Sequence, residues 1–333
     1  CSKKNIIMHK ILSLTVVMLL FLSCNNDKPS NKKILSQSSG NLHNVSVVID
    51  NELWDGVIGE TIRDVLAAPI YGLPQDEPMF TMAQIPTQVF SDFVTKNRTI
   101  LKIEKGGEKA AVKVLNNVYA KPQKVVLVTG KTNAEIVNQI NTNANAIVAA
   151  FKEEELKEKQ RRINLSLHKN NTIKEKLGVS INFPTAYRIA KEENKVYWIR
   201  KDITTGTTNL LLYELPYEAI VKNDSLINQI VSIRDSINKA FIPGPTDEAY
   251  MVTEDNYAPF LSETIIDNKP TIETKGIWDM ENAFMSGPFV NYMIDDKANN
   301  RYLVIEGFAF APSVSKRDYM FELEAIIRSI KIE

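Results

Sequence analysis

The spacing of apolar residues in the first half of the chain predicts strands interrupted by helices. Short β-branched runs are typical of strands, and they occur at 45–50, 99–104, 110–115 and 124–129. Apolar residues recur every three or four positions after Leu53 and after Thr132, which predicts an amphipathic helix at each place. A shorter helix is predicted over 84–94. This order of elements predicts an antiparallel or mixed sheet with helices on one face.

The last helix of this half is predicted to extend from about Thr132 to about His168, and it becomes highly charged after Phe151. Acidic and basic residues lie four positions apart there, in the pairs Glu153–Lys157, Glu155–Lys159 and Glu158–Arg162. Such pairs stabilise an exposed helix by about 0.2–0.5 kcal/mol each. We therefore predict a solvent-exposed helix that connects two sub-domains. The alternative hypothesis is a helix that binds a partner protein.

The second half of the chain is richer in strands, which we predict near 180–183, 187–190, 195–200, 207–215, 250–253, 271–278, 287–294 and 301–310. Amphipathic helices are predicted at 225–240 and 315–330. The whole chain therefore predicts an α+β fold of two α/β sandwich-like sub-domains, 41–175 and 176–333. Their sheets are expected to be mainly antiparallel, with a long helix joining the two sub-domains.

The first residues of the chain follow a different pattern. Lysines precede an uncharged apolar run at 11–22, and Ser23 and Cys24 follow it, as in secretory signal peptides. Twelve helical residues span only about 18 Å of the ~30 Å hydrocarbon core of a bilayer. A short transmembrane anchor is therefore the less favoured alternative. We predict a signal peptide at 1–23, with Met8 as an alternative start of translation.

The segment Leu20–Cys24 resembles the lipobox of bacterial lipoproteins, in which a small residue precedes a Cys. The resemblance implies that Cys24 is alkylated with diacylglycerol, that cleavage occurs before it, and that the new amino group is acylated. Two or more acyl chains hold a protein firmly on a membrane. The polar residues 24–40 are predicted to be a flexible tether. We expect an outer-membrane lipoprotein of the cell envelope, with the periplasmic and surface sides both open.

Composition and charge narrow the functional classes. The 333 residues are 44% hydrophobic and 24% charged, with 40 basic and 40 acidic residues, which is ordinary for a globular protein. Residues 181–333 hold 16 basic and 23 acidic residues, and this acidic excess argues against nucleic-acid binding. The chain has only three His and two Cys, so we predict no metal site and no cofactor.

Four segments, 66–80, 151–163, 184–203 and 287–312, together resemble a lipoprotein family of Bacteroidota known as domain of unknown function 4837. The resemblance extends over nearly the whole mature chain and implies an envelope location. It brings no assigned activity and no catalytic residue. The second half also resembles the Mog1/PsbP-type α-β-α sandwich, through its Phe183-Pro184 strand, its long antiparallel sheet and its final helix. A fold does not fix a function.

Candidate site residues come from residue type rather than from catalytic motifs, because no nucleophile elbow, HExxH, CxxC, P-loop or GxGxxG segment occurs. No catalytic residue is therefore predicted. Trp198, Arg200 and Trp278 are candidates for binding a glycan or peptide, with core packing as the alternative. Weaker acid/base candidates are the carboxylates of Asp76, Glu77, Asp279 and Glu281.

Two functional hypotheses remain. The favoured one is a non-catalytic binding or scaffolding module, attached to the membrane through lipid on Cys24, with an envelope protein or glycan as partner. The alternative is a carboxylate-based hydrolase of envelope glycans. That chemistry needs two carboxylates about 5–9.5 Å apart across a cleft.

Overall fold

Two β-sheets organise the protein, one in each half of the chain. The computed structural model describes residues 34–107, 109–169 and 171–333. The predicted signal peptide 1–23, the lipidation site Cys24 and the first ten residues of the predicted tether lie outside the described residues. Residues 37–333 form one compact unit.

The first half contains β1 (Ser36–Gln37), β2 (Asn44–Val48), α1 (Asn51–Trp54), α2 (Val57–Leu66), β3 (Thr81–Ile85), β4 (Thr99–Lys105), β5 (Ala111–Asn116), β6 (Ala120–Lys121), β7 (Lys124–Gly130), α3 (Asn133–Thr142) and α4 (Ala144–Ile163). The second half contains α5 (Thr172–Leu177), β8 (Val179–Ser180), β9 (Arg188–Glu193), β10 (Val196–Ile203), β11 (Gly206–Pro216), α6 (Leu226–Phe241), β12 (Tyr250–Thr253), β13 (Phe260–Ile266), β14 (Lys269–Glu281), β15 (Ser286–Asp296), β16 (Arg301–Phe310), α7 (Arg317–Ile327) and β17 (Lys331–Ile332).

The first sheet has five strands in the order β3-β2-β4-β7-β5. The first four are parallel, and β5 joins β7 as an antiparallel edge strand. Successive side chains of a strand face opposite sides, so Val47 packs in the core that includes α2, α3 and α4, and Val48 packs in a smaller core on the other face. The expected mixed sheet with helices on one face is therefore present.

The prediction of a helix over 84–94 is wrong. Gln84 and Ile85 end β3, which lies parallel to β2, and two 3₁₀ turns follow at Thr87–Val89 and Asp92–Lys96. Pro86 separates the strand from the turns, and its missing N–H and fixed φ disfavour a helix continuing through it. The turn segment instead places Phe90 and Val94 against the smaller core.

The second sheet is antiparallel throughout, with the path β12-β14-β15-β16-β11-β10-β9 and with β13 also paired to β14. Its two faces are covered by different helices. Leu210 and Leu212 share a core with α5 and α7, whereas Leu211 and Tyr213 share a core with α6. The predicted α+β class, with mainly antiparallel sheets, is confirmed.

The long charged helix differs from its prediction in two ways. The helix breaks at Asn143 between α3 and α4, and α4 ends at Ile163 rather than near His168. It is also not a solvent-exposed connection, because Glu154, Glu155 and Glu158 are buried.

Contacts across the molecule explain why part of this charged sequence is buried. Lys159 Nζ lies 2.6 Å from Glu322 Oε2 of α7, and Gln160 Nε2 donates to the Ala325 carbonyl at 3.1 Å. The expected Glu155–Lys159 pair is therefore absent, because each residue takes a more distant partner. Glu155 instead pairs with Arg98, which precedes β4. Helix α4 thus packs against elements from both halves of the chain.

Candidate functional site

The three candidate ligand-binding residues lie on or near one core. Trp278 is 1% exposed, and its Nε1 donates to the Ala309 carbonyl at 3.2 Å, so this ring is a core residue. Trp198 packs against the same core, and its Nε1 donates to Asn209 Oδ1 at 3.0 Å. Arg200 lies over the Trp198 ring and pairs with Asp202 at 2.9 Å. Of the two tryptophans, only Trp198 is partly exposed.

Two of the four candidate carboxylates accept backbone hydrogen bonds, and the other two are exposed. Glu77 is buried, and its two oxygens accept hydrogen bonds from the backbone N–H groups of Lys316 and Arg317 at 2.6 and 3.0 Å. It therefore holds the first turn of α7, where a negative charge is favourable. Asp279 accepts from the Met280 N–H, and Asp76 and Glu281 are exposed. This geometry gives no support to the hydrolase hypothesis.

A different site lies where the two halves meet. A cavity of about 390 Å³, here called the junction pocket, is bounded by α4, α7, β14, β15 and the loop before β3. Its walls are mostly apolar, with several charged side chains among them. The lining residues are His43, Ile70, Tyr71, Gly72, Leu73, Met79, Phe80, Ala149, Lys152, Glu153, Glu155, Leu156, Lys275, Phe289, Val290, Arg317, Met320, Phe321, Glu324 and Arg328.

The loop 69–78 forms one wall of this pocket. Its ends are joined by backbone hydrogen bonds, from Ile70 N–H to the Glu77 carbonyl at 3.0 Å and from Met79 N–H to the Ala68 carbonyl at 3.0 Å. Tyr71 packs on Phe260 of β13, with ring centroids 4.7 Å apart and the rings tilted by 37°. The loop therefore reaches from the first half of the chain onto the second sheet.

Gly72 lies directly against β14. Its φ is +82°, and an added Cβ would lie 2.9 Å from Cβ of Lys275. We expect Gly72→Ala to lower the free energy of unfolding by about 1–3 kcal/mol and to displace the loop from the pocket. Gly106→Ala is the matched control, because Gly106 has a φ of +95° but no atom within 4 Å of its added Cβ.

Urea unfolding of both glycine variants separates the two effects of the substitution. Both variants carry the cost of a left-handed backbone, and only Gly72→Ala adds the contact with Lys275. An equal loss of stability in the two variants would contradict a tight contact between the loop and β14.

Charged groups gather on one side of the junction pocket. Lys275 Nζ lies 2.9 Å from Glu273 Oε1, and Arg328 Nε lies 2.9 Å from Glu324 Oε1. Lys152 of α4 also lines the pocket. In the part of the chain that the structure describes, the side chain of Lys152 makes no hydrogen bond and no ion pair within 4.0 Å.

The pKa shifts in this cluster follow from burial and from neighbouring charges. Burial, followed by the charge of Lys275, lowers the pKa of Lys152. Burial alone would also lower the pKa of Lys275, but Glu324 and Glu273 outweigh it and raise that pKa. Burial would raise the pKa of Glu324, but Lys275, Arg328 and Lys152 outweigh it and lower that pKa. The two carboxylates therefore stabilise the charged forms of Lys275 and Arg328 more than they stabilise the charged form of Lys152.

The structure also bears on metal binding and membrane crossing. Within residues 34–107, 109–169 and 171–333, no three His, Cys, Asp or Glu side chains are grouped so that they could hold a metal ion. Over the same ranges, no helix has both the length and the apolar character needed to cross a membrane.

The fold and the pocket define an α+β protein of two halves with a ligand-sized cavity between them. Residues 166–329 match the family model described as "Domain of unknown function (DUF4837)". Residues 38–164 match a second model, "Domain of unknown function (DUF8532)". The family resemblance is thus confirmed, but the first family covers the second half rather than nearly the whole chain. No curated protein matches the chain at a significant level.

Two solved structures are similar to part of the chain. One is the solution structure of cyanobacterial PsbP (CyanoP) from Synechocystis sp. PCC 6803, at 10% identity and a TM-score of 0.34, covering 50% of this chain and 93% of that one. The other is the Ran-binding protein Mog1p from Saccharomyces cerevisiae, at 8% identity and a TM-score of 0.30, covering 46% of this chain and 89% of that one.

Proposed function

We propose that this protein is a non-catalytic lipoprotein of the bacterial cell envelope that binds a small, largely apolar ligand in the junction pocket. The pocket is the observation that carries the proposal. Ligand sites are typically clefts of about 300–1,000 Å³, lined mainly by apolar side chains with a few polar groups. A cavity of about 390 Å³ with apolar walls and a charged side fits this description. The envelope location rests on the sequence around Cys24.

Lipid attachment is tested at the proposed site of modification. Cells that express the full chain are grown with an alkyne-labelled fatty acid, and the purified protein is examined for the label. We expect Cys24→Ser to abolish labelling, because the thioether and the acylated amino group both require this residue. Cys1→Ser is the matched control and should keep the label. Labelling that persists in the Cys24→Ser protein would contradict lipidation at this position.

Ligand binding is tested with a neutral apolar fluorophore, N-phenyl-1-naphthylamine. We use the full chain with Cys24→Ser, so that no acyl chain competes for the pocket. Ala149 is an exposed residue of α4 that lines the pocket, so Ala149→Trp should fill the cavity and remove saturable binding. Ala146→Trp lies on the same helix outside the lining and should leave binding unchanged. Equal binding in the two variants would count against the junction pocket as the site.

A further inference from the structure

We infer that the junction pocket binds a single-chain amphipathic carboxylate, with its carboxylate beside Lys152 and its apolar chain along the walls between α4 and α7. This inference rests on the proposed binding function and adds the chemical class of the ligand. It follows from three observations: the charge balance of the cluster, the pairing of the other charged lining residues, and the size and chemistry of the remaining walls.

The charge balance leaves one positive charge. The ionised groups that act on Lys152 are Lys275, Arg328, Glu324 and Glu273. With Lys152 they make three cations and two carboxylates. Lys275 and Arg328 each lie 2.9 Å from a carboxylate, whereas Lys152 has no ion-pair partner among the described residues. Lys152 is an exposed lysine of the pocket wall, and an anion bound in the pocket would give it a charge-assisted partner.

Other charges at the pocket wall do not supply this partner. Glu153 pairs with Lys157, and Glu155 pairs with Arg98 at 3.1 Å. Arg317 is itself paired with Asp318 at 3.0 Å, so it does not add a second unpaired cation. One monoanion from outside the chain would therefore neutralise the cluster.

The rest of the wall suits a hydrocarbon chain. Leu156, Met320 and Phe321 of the two helices face the cavity together with Leu73, Phe289 and Val290. At about 30 Å³ for each water-sized group, a cavity of about 390 Å³ has room for about a dozen non-hydrogen atoms. Decanoate has ten carbons and two oxygens, so its size and its single charge both match the pocket.

Related amphiphiles match the pocket less well. A cationic head group would be repelled by Lys152 and Lys275, and a neutral alcohol would leave the extra charge unpaired. A phosphate monoester carries about −1.5 to −2 at pH 7, which exceeds the single positive charge of the cluster. The charge count therefore favours a carboxylate.

Displacement of N-phenyl-1-naphthylamine from the full chain with Cys24→Ser tests the inference. The competitors are decanoate, decanol, decyltrimethylammonium and decyl phosphate, which differ mainly in the head group. We expect decanoate to bind at least tenfold more tightly than decanol, a difference of about 1.4 kcal/mol. Lys152→Met should remove this preference and leave decanol affinity within about twofold. Retained decanol binding also shows that the Lys152→Met protein is folded.

Lys113→Met is the matched control, because Lys113 is an exposed lysine outside the pocket. It should keep the preference for decanoate. The inference is overturned if decanoate and decanol bind equally, if Lys152→Met weakens both alike, or if decyl phosphate binds more tightly than decanoate. In each of these cases binding that Ala149→Trp still blocks would leave the proposed function standing. If no compound shows binding that depends on Ala149, the proposed pocket function fails as well.

Discussion

Replacing Glu306 with Gln should lower the free energy of unfolding by about 3–5 kcal/mol, because it leaves a buried guanidinium without its buried counter-ion. Arg234 Nε lies 2.9 Å from Glu306 Oε2, and both side chains are 1% exposed. Asp235, the other acid beside Arg234, is 27% exposed and is better placed to interact with water.

The residues around Arg234 and Glu306 increase the expected loss of stability. The side-chain amides of Asn238 and Asn291 each donate to a Glu306 oxygen at 3.2 Å. The amide that Glu306→Gln introduces would replace one of these acceptor oxygens with a donor, so a buried hydrogen bond would be lost as well. Arg234 also lies over the Phe289 ring, with its guanidinium carbon 3.8 Å from the ring centroid.

Urea unfolding followed by tryptophan fluorescence measures this effect, because Trp278 is a buried residue of β14, in the same sheet as Glu306. Glu263→Gln, at an exposed position on β13, should change stability by less than about 0.5 kcal/mol. The double variant Arg234→Met/Glu306→Leu should lose less stability than the sum of its two single variants, because the groups interact directly. A loss below about 1 kcal/mol in Glu306→Gln would show that the pair is not buried as described.

Arg98→Met should also cost about 3–5 kcal/mol near neutral pH, since it leaves the carboxylate of Glu155 buried and unpaired. Arg98 donates from Nε and Nη2 to the two oxygens of Glu155, at 3.1 and 3.2 Å, and Glu155 Oε2 also accepts from the His43 N–H at 2.9 Å. This pair fastens α4 to the residues that directly precede the inner strands β2 and β4.

The loss of stability caused by Arg98→Met should become smaller as the pH falls. Burial raises the pKa of Glu155 even in the wild-type protein, and Arg98 and the His43 N–H offset only part of that rise. Without Arg98 the pKa of Glu155 in the folded state rises further above its unfolded value. A carboxyl group whose pKa is raised on folding stabilises the folded state at pH values below its pKa in the unfolded state. This stabilisation is lost as the pH rises through its pKa in the folded state. The Arg98→Met variant therefore loses the most stability at pH values where Glu155 is ionised.

Unfolding of Arg98→Met and wild type, measured from about pH 8 to about pH 4, tests this dependence. Arg188→Met is the matched control, because Arg188 and its partner Asp202 are both exposed. It should show a small loss with little pH dependence. A cost for Arg98→Met that stays constant over the whole pH range would argue against Glu155 as its cause.

The local pattern of apolar residues predicts most strands, and it also predicts helices α6 and α7 on the second sheet. Runs such as 124–129 and 301–310 are mostly apolar and rich in β-branched or aromatic residues, which is typical of strands buried on both faces. The same logic was insufficient around 84–94, where a helix-like spacing of apolar residues surrounds Pro86. Pairing with β2 decided that segment, and local sequence carries no information about such a partner.

The junction pocket shows the same limit at the level of single residues. Lys152 belongs to a highly charged stretch, and its sequence neighbours are typical of an exposed helix. Lys275, Glu324 and Arg328 come from a strand and a helix far along the chain. Their sequence positions therefore do not predict that they act on one another. The Pro/Gly-rich loop at 69–78 was a recognisable feature, but its contact with β14 was not.

The sequence by itself determined the α+β class, the resemblance of the second half to a family of unknown function and the candidate lipidation site, because each depends on local periodicity or on a short motif. Tertiary structure alone decided that three glutamates of the charged helix α4 are buried, that Glu77 holds the start of α7, and that a cavity with one unpaired lysine among the described residues lies between the halves. These features depend on residues brought together over more than a hundred positions of chain, where only the packed structure fixes distance, burial and charge balance.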